Sequence, residues 1–480
     1  MEQLEHITAS ISDFLWGWPM IILLLGTHLF LTIRLRFPQR KIFTAIRLSI
    51  QKDNDSEGDV SQFGALTTSL AATIGTGNII GVATAVAFGG PGAVFWCWLT
   101  GVFGIATKYA EGLLAIKYRI KTSTGEMLGG PMYALERGLK QKWLGVLFCI
   151  FTALAAFGIG NTVQANSISL LMNETYGINV HVTGIVIAVL TRAVSTAMTI
   201  PVTWIVIAVL TALVIFFGVK GIARVCMALV PLMALFYIAG CIYILFVNRA
   251  FLGESLQLII SSAFTPHAAG GGFLGTTVMM AARYGIARGL FSNESGLGSA
   301  PIVAAAAQTR NPVRQALVSS TGTFWDTVVI CALTGLVLVS SVLAFPDIDY
   351  TQGGALTKAA FGKIPYIGTT ILAVGILTFA FSTILGWTYY SGKAIEYLGG
   401  RKWVKPYRIV WIICVYLGSI MNLQVVWNIA DSVNALMAIP NLISLLLLSG
   451  VAVKETQKYL WEDRLHETSQ EEIPLHDEGK

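Results

Sequence analysis

The sequence predicts an all-α polytopic membrane protein, and three observations support this prediction. The 480-residue chain is 55% apolar and only 12% charged, whereas about a quarter of the residues in a soluble domain are charged. Its apolar residues fall into long runs of the length that crosses a bilayer. Two of these runs, at 71–80 and 289–301, are interrupted by small polar residues where an ordinary membrane helix would continue.

Eleven apolar segments are expected to span the membrane. The first is long enough to cross by itself and shows no cleavage site, so we expect it to remain as a transmembrane helix. The segments lie at about 13–34, 61–88, 92–116, 143–172, one within 180–218, then 225–247, 273–305, 314–343, 366–392, 408–424 and 428–453.

The distribution of basic residues predicts which side of the membrane each loop faces. If the loop after the first segment is cytoplasmic, 25 of the 32 Lys and Arg residues lie in inner loops or the C-terminal tail. Only Arg249, Lys358 and Lys363 then lie in outer loops. The positive-inside rule therefore predicts a cell-membrane protein with its N-terminus outside and its C-terminus in the cytoplasm.

A local repeat complicates the count of spans. The heptapeptide Ile-Val-Ile-Ala-Val-Leu-Thr occurs at 185–191 and again at 205–211. Two spans here would place Arg192 in a membrane segment and reverse the orientation of every later loop, against the charge rule. We therefore predict one span with an inserted segment at about 192–211.

The two interrupted segments predict a ligand site near the centre of the membrane. An unpaired backbone group costs several kcal/mol in hydrocarbon, so unwound backbone persists only where it lines a cavity or holds a ligand. A pair of such breaks, one in each half of the chain, is typical of a secondary transporter. Glycine-rich helix contacts are the alternative explanation.

The motifs at both interruptions resemble those of the alanine or glycine:cation symporter family. They are Thr73-Ile-Gly-Thr-Gly-Asn78 and Leu290-Phe-Ser-Asn-Glu-Ser-Gly-Leu-Gly-Ser-Ala-Pro301, with shorter matches such as Gly129-Gly-Pro-Met132 in the same order. The resemblance covers roughly residues 10–455. It implies a sodium-coupled symporter of small neutral amino acids, alanine and glycine, that works by alternating access around a midplane site.

The same resemblance implies a leucine-transporter-like architecture of two inverted five-helix repeats, whose first and sixth helices are broken. Residues 1–60 would hold one extra N-terminal helix and a basic cytoplasmic loop. The repeats would occupy 61–247, including the insert, and 273–453. Residues 454–480 would form a polar cytoplasmic tail, which need not fold because it is rich in charge. The duplicated segment departs from the family pattern.

Residues around the interruptions are the candidates for substrate binding. The half-helix beginning at Asn78 would present free N–H groups to a carboxylate. A second half-helix is expected to start at Ser299 and Pro301, which would free carbonyls near Gly289 to Phe291 for the substrate ammonium. Ser292 and Asn293 could instead pair with the backbone.

Three further candidates follow from side-chain chemistry and from the resemblance. The Gln164 amide lies in an apolar helix and needs partners, either substrate or a neighbouring helix. Thr383 and Trp387 share a helix face, and an indole opposite Phe291 would leave room only for a small side chain. The expected substrate site is Thr76, Gly77, Asn78, Gln164, Phe291, Ser292, Asn293, Thr383 and Trp387.

The resemblance also implies a sodium site between the first broken helix and the eighth repeat helix. Carbonyls freed by an unwound helix would supply oxygen ligands without a net buried charge. The expected set is Ala71, Ile74, Phe379, Ser382 and Thr383, so that Thr383 appears in both sites. No cofactor and no nucleic acid is expected beside sodium, the amino acid and membrane lipid.

Four ionisable residues in apolar segments, Glu111, Glu294, Asp326 and Asp431, are functional candidates by their location. Lys108 and Glu111 can neutralise each other three residues apart. Proton coupling through Glu294 or Asp326 is the alternative to sodium. A membrane-embedded enzyme would need catalytic or metal-ligand spacing, which the six histidines and six isolated cysteines do not show. A channel is disfavoured by the paired breaks.

Overall fold

The computed structural model describes residues 2–51, 57–196, 218–265, 277–351, 353–365 and 367–475, and it is predominantly helical. By length and apolar composition, five described helices are able to cross a membrane, and two bent pairs of helices raise this number to seven. The eleven spans stay a prediction. The five long helices are Lys142–Tyr176, Gly221–Val247, Pro312–Ala344, Gly368–Gly399 and Gln424–Leu447.

The remaining helices are shorter, bent or more polar. Among the residues that the structure describes, one antiparallel hairpin pairs Ile120–Lys121 with Met127–Leu128. Most of the predicted insert at 192–211 lies outside the described residues. The other helices of eight or more residues are Glu2–Leu15, Trp18–Arg34, Ile42–Ser49, Gln62–Thr73, Ile80–Gly89, Gly92–Lys117, Val180–Thr196, Leu252–Phe264, Val278–Asn293, Gly353–Gly362, Val404–Ile420 and Ser449–Thr456.

The first apolar segment is bent rather than straight. Helices Glu2–Leu15 and Trp18–Arg34 meet at 44°, and Pro19 lies in the first turn of the second helix, where proline is tolerated. The Trp16 indole N–H, at the bend, donates a hydrogen bond of 2.9 Å to the Asp431 carbonyl. This contact attaches the extra N-terminal element to the last long helix.

Small residues allow the helices around the second interruption to pack closely. Helix Gly92–Lys117 packs against both Val278–Asn293 and Pro312–Ala344. A Cβ atom at Gly285 would lie 2.4 Å from the Ala93 carbonyl oxygen, and one at Gly289 would lie 2.2 Å from Thr100 Oγ1. Glycine at these two positions is therefore what permits backbone contact between the helices.

The expectation that the C-terminal tail need not fold is wrong up to residue 475. Helix Ser449–Thr456 continues as a π-helical turn through Gln457–Trp461. Beyond it, backbone carbonyls of the tail accept hydrogen bonds from Asn311 and Arg310. The tail is polar, as its composition indicates, but it finds matching polar partners on the protein surface.

Candidate functional site

The first break, residues 74–79, is held open by side chains. It joins helix Gln62–Thr73 to the next half-helix with a bend of 60°. The Gly75 N–H donates to Asn78 Oδ1 at 2.9 Å, and the Thr76 N–H donates to Gln164 Oε1 at 3.2 Å. Thr76 Oγ1 is buried and has no hydrogen-bond partner among the described residues. The predicted interruption is present, and it leaves an available hydroxyl.

The second break, residues 294–300, begins later than the sequence indicated. Helix Val278–Asn293 continues past the predicted carbonyls, and Leu290 O accepts the Glu294 N–H at 3.0 Å. The expectation of a free carbonyl at Leu290 is therefore wrong. The chain then takes left-handed conformations at Glu294, Gly296 and Gly298. A half-helix does start at Pro301, as predicted, but it covers only Pro301–Ala304.

One carboxylate connects the two breaks. Asn78 Nδ2, at the first break, donates to Asp326 Oδ1 at 2.7 Å. Ser292 Oγ, beside the second break, donates to Asp326 Oδ2 at 2.9 Å, and Thr327 Oγ1 donates to the same oxygen at 2.6 Å. The Asp326 side chain is fully buried. It is thus hydrogen-bonded to side chains at both interruptions.

The two breaks also contact each other directly. A Cβ atom at Gly77 would lie 3.1 Å from the Phe291 ring and 3.5 Å from Ser292 Cα. Asn293 Oδ1 accepts the Ser295 N–H at 2.8 Å, and its Nδ2 is buried without a hydrogen-bond partner among the residues that the structure describes. Phe291, Ser292 and Asn293 therefore lie at the junction where the sequence placed them.

Gln164 and Thr383 close the other side of the first break. Gln164 Nε2 donates to the Ile159 carbonyl at 2.8 Å while its oxygen holds Thr76. A Cβ atom at Gly75 would lie 2.6 Å from Thr383 Oγ1 and 3.4 Å from the Gln164 amide. Both side chains thus contact the unwound backbone, and glycine at position 75 makes room for them.

The Trp387 side chain contacts Glu294 at the second break, whereas it was expected to lie opposite Phe291. Its indole N–H donates to Glu294 Oε1 at 2.9 Å, and its ring lies edge-on to Tyr390. The Phe291 ring instead lies against Trp427, with 4.7 Å between centroids. The expected position of the indole opposite Phe291 is therefore taken by Trp427, a residue that sequence reasoning did not single out.

The five positions expected to bind sodium come together. Ala71 O accepts Ser382 Oγ and Thr383 Oγ1, each at 3.1 Å. Ser382 Oγ also lies 2.9 Å from Phe379 O, and Thr383 Oγ1 lies 3.5 Å from Ile74 O. The cluster combines three carbonyls and two hydroxyls, all buried. Neutral oxygens of this kind are ligands suited to a hard cation.

Asp431 belongs to a buried ion pair, of which the sequence analysis singled out only the aspartate. Asp431 binds Arg288 with an N–O distance of 2.5 Å, and the Arg288 guanidinium lies 4.7 Å above the Trp427 ring. Arginine inside an apolar segment is as informative as the aspartate and could have been found by the same argument. Lys108, which the sequence placed where it could neutralise Glu111, has no hydrogen-bond partner within the described ranges. The Glu111 carboxylate binds Gly296 N and Asn441 Nδ2 through Oε1.

A cavity of about 600 Å³ leads towards this region from one face of the protein. Its outer part includes Glu174 and Lys358, and its inner part includes Ile80, Arg288 and Trp427. Trp427, in its lining, lies against the Phe291 ring, so the cavity reaches the surroundings of the junction of the two breaks.

Comparison with known proteins identifies the family. A sequence model of the "Sodium:alanine symporter family" matches residues 1–200 and 192–473. The "Sodium/alanine symporter AgcS" of Methanococcus maripaludis is 49% identical over 94% of this chain and 96% of its own. An "Uncharacterized transporter" of Haemophilus influenzae is 48% identical over 98% of this chain and 99% of its own.

A solved structure shows the fold. The crystal structure of MhsT in complex with L-phenylalanine matches with a TM-score of 0.53 and 14% identity, covering 85% of this chain and 95% of that one. This likeness confirms the predicted leucine-transporter-like fold. The relatives are transporters, so the protein is a transporter and not an enzyme. The chain belongs to the sodium:alanine symporter family.

Proposed function

We propose that this protein imports alanine and glycine together with sodium, by alternating access around the junction of the two breaks. The single observation that supports this most strongly is that both unwound segments, Gln164, Thr383 and the neutral oxygen cluster lie in one buried region. The name of the Methanococcus relative supports the choice of sodium and alanine.

The amino acid would lie between the first break and Phe291. The Thr76 hydroxyl, which has no partner among the described residues, suits the substrate carboxylate. The free N–H groups expected at Asn78 are instead bonded within the break, since the N–H groups of Asn78 and Ile79 donate to the carbonyls of Gly75 and Thr76. The Phe291 ring packs closely against Gly77, and a Cβ atom at Gly77 would lie only 3.1 Å from it, so a substrate bound beside this contact would need a small side chain. This geometry favours alanine and glycine over larger neutral amino acids.

Sodium would bind at the cluster formed by Ala71, Ile74, Phe379, Ser382 and Thr383. Because its carbonyls come from the first broken helix, a cation here would stabilise the unwound backbone that also holds the amino acid. Binding of the two solutes would therefore be mutually favourable, which is the thermodynamic requirement for coupling.

Thr383→Ala and Gln164→Ala are each expected to weaken alanine binding about tenfold, because each removes a buried hydrogen bond at or next to the first break. Apparent affinity in proteoliposome uptake measures this effect. Thr388→Ala is a matched control, since its hydroxyl bonds only to Ile384 in its own helix. Unchanged affinity in both site variants would remove these residues from the site.

The orientation and repeat boundaries form part of this proposal. The N-terminus would be outside, the C-terminus cytoplasmic, and the repeats would occupy 61–247 and 273–453 among eleven spans. The two stretches matched by the family model meet at 192–200, within the duplicated segment, which supports an insertion there.

Deletion of 192–211 is expected to preserve insertion, topology and transport. Joining Thr191 to Ala212 leaves an apolar run of 18 residues from Val182 to Val219, which is long enough for one span. Accessibility of a cysteine at the C-terminus measures the topology. A C-terminus outside in the intact protein but inside after deletion would show that the region spans twice.

A further inference from the structure

The C-terminal segment 463–475, which we call the strap, runs across one face of the protein. It follows the π-helical turn that ends at Trp461. On the proposed orientation this is the cytoplasmic face. Neither the substrate site nor the sodium cluster uses any residue of the strap, so its contacts need a separate explanation.

The strap is bonded to the chain just after the second broken helix. Asn311 Nδ2 donates to the carbonyls of Leu465 and Glu467, at 3.3 and 2.8 Å. Arg310 Nη2 donates to the Glu471 carbonyl at 2.9 Å. Asn311 also caps the helix that begins at Pro312, so the strap is anchored to a well-defined element of the second half of the chain.

The strap is equally bonded to the first half of the chain. Lys117, at the end of helix Gly92–Lys117, forms an ion pair of 2.5 Å with Glu471. The Lys121 N–H donates to the Pro474 carbonyl at 2.9 Å, and Lys121 forms a parallel β-bridge with Leu475. The strap therefore ties elements from both halves together at one face.

The backbone next to the anchor point belongs to the end of the second broken helix. The Arg119 guanidinium donates to the carbonyls of Ala305, Ala307 and Thr309. Val60, which precedes the first broken helix, pairs with the chain at Ala306 and Gln308. The start of the first broken helix and the end of the second are thus hydrogen-bonded to each other. The strap is attached to the same loop, at Arg310 and Asn311.

We propose that the strap is a built-in latch that holds the cytoplasmic face closed and must detach before the site opens inward. Alternating access moves one part of a repeat protein against the other. The strap leaves the last helices of the chain and is bonded to Lys117, Arg310 and Asn311, so its attachment would oppose an opening that separates the last helices from these residues. Detachment would lower the free energy of inward opening. The inference rests on the proposed alternating access and orientation.

The latch is tested with the substitution Thr309→Cys, at a buried position next to the anchor residues Arg310 and Asn311. The new cysteine is labelled with a maleimide in inside-out vesicles without substrate. The native cysteines are buried or partly buried and set the background. Ending the chain after Glu462 is expected to raise the maleimide labelling rate about tenfold, since several hydrogen bonds are lost. Labelling at the full-length rate in a folded truncated protein would overturn the proposal.

Point variants keep the test decisive if truncation impairs folding. Glu471→Gln weakens the ion pair to Lys117 and is expected to raise labelling about twofold, as for a partly exposed pair. Glu467→Gln is the matched control, because that carboxylate pairs with Arg464 inside the strap. Equal labelling in the two variants would contradict the latch. Failure of sodium-coupled uptake would leave this labelling difference unaffected, so the two proposals fail separately.

Discussion

Asp326→Ala is expected to reduce alanine uptake at least about a hundredfold while the protein still inserts. The carboxylate accepts hydrogen bonds from Asn78, Ser292 and Thr327, and so fixes the two breaks relative to each other. Hydrogen bonds to a charged group contribute about 1.5–3 kcal/mol each, and losing two of them corresponds to a hundredfold effect or more. Initial uptake rates in proteoliposomes measure this loss.

Two control variants distinguish the role of Asp326 in connecting the two breaks from a general effect of losing a carboxylate on uptake. Asp349→Asn removes an exposed carboxylate whose partner is Thr351 in its own loop, and uptake should be unchanged. Thr327→Val removes a single donor to Asp326 and should cost about tenfold. Normal uptake by Asp326→Ala would show that the two breaks keep their arrangement without the carboxylate.

Arg288→Ala is expected to destabilise the protein by about 3–5 kcal/mol, because it leaves the buried Asp431 carboxylate without its cation. The guanidinium also lies over the Trp427 ring, so its packing is lost as well. Unfolding in mixed micelles with increasing SDS measures the change in the free energy of unfolding.

The same helix offers a matched control for this ion pair. Arg283 pairs with Asp13, whose side chain is 62% exposed, and Arg283→Ala should cost less than about 1 kcal/mol. Replacing both buried partners, with Arg288→Met and Asp431→Leu, should restore most of the lost stability, because no unpaired charge remains. Equal costs for Arg288→Ala and Arg283→Ala would contradict the importance of the buried pair.

The breaks were predictable because their cause is local. Clusters of glycine and small polar residues inside an apolar run, such as those around Gly75 and Ser295, allow the backbone to unwind, and unwound backbone persists in hydrocarbon only where it lines a cavity or holds a ligand. Family resemblance then supplied Gln164, Thr383 and the oxygen cluster, all of which contact the first break in the structure. Their roles in binding stay predictions.

Contacts between distant segments were not predictable from one sequence. Arg288 and Asp431 are 143 residues apart, and nothing local to either residue specifies the other. Trp427 faces Phe291 because of how two helices are rotated, which apolar periodicity does not fix to one residue. The folding of the C-terminal tail was not predicted for a related reason. Its charges indicate a solvated segment, but the partners that hold it in place, Asn311 and Lys117, lie far away in sequence.

Uptake of radiolabelled alanine and glycine into proteoliposomes at fixed pH, with external sodium or with choline in its place, tests the central claim most directly. Sodium-driven symport predicts uptake that rises with the sodium gradient and nearly disappears in choline. Ser382→Ala should lower the apparent sodium affinity, because Ser382 contributes to the oxygen cluster. Uptake driven equally well by a pH gradient without sodium would contradict the account and favour proton coupling through Glu294 or Asp326.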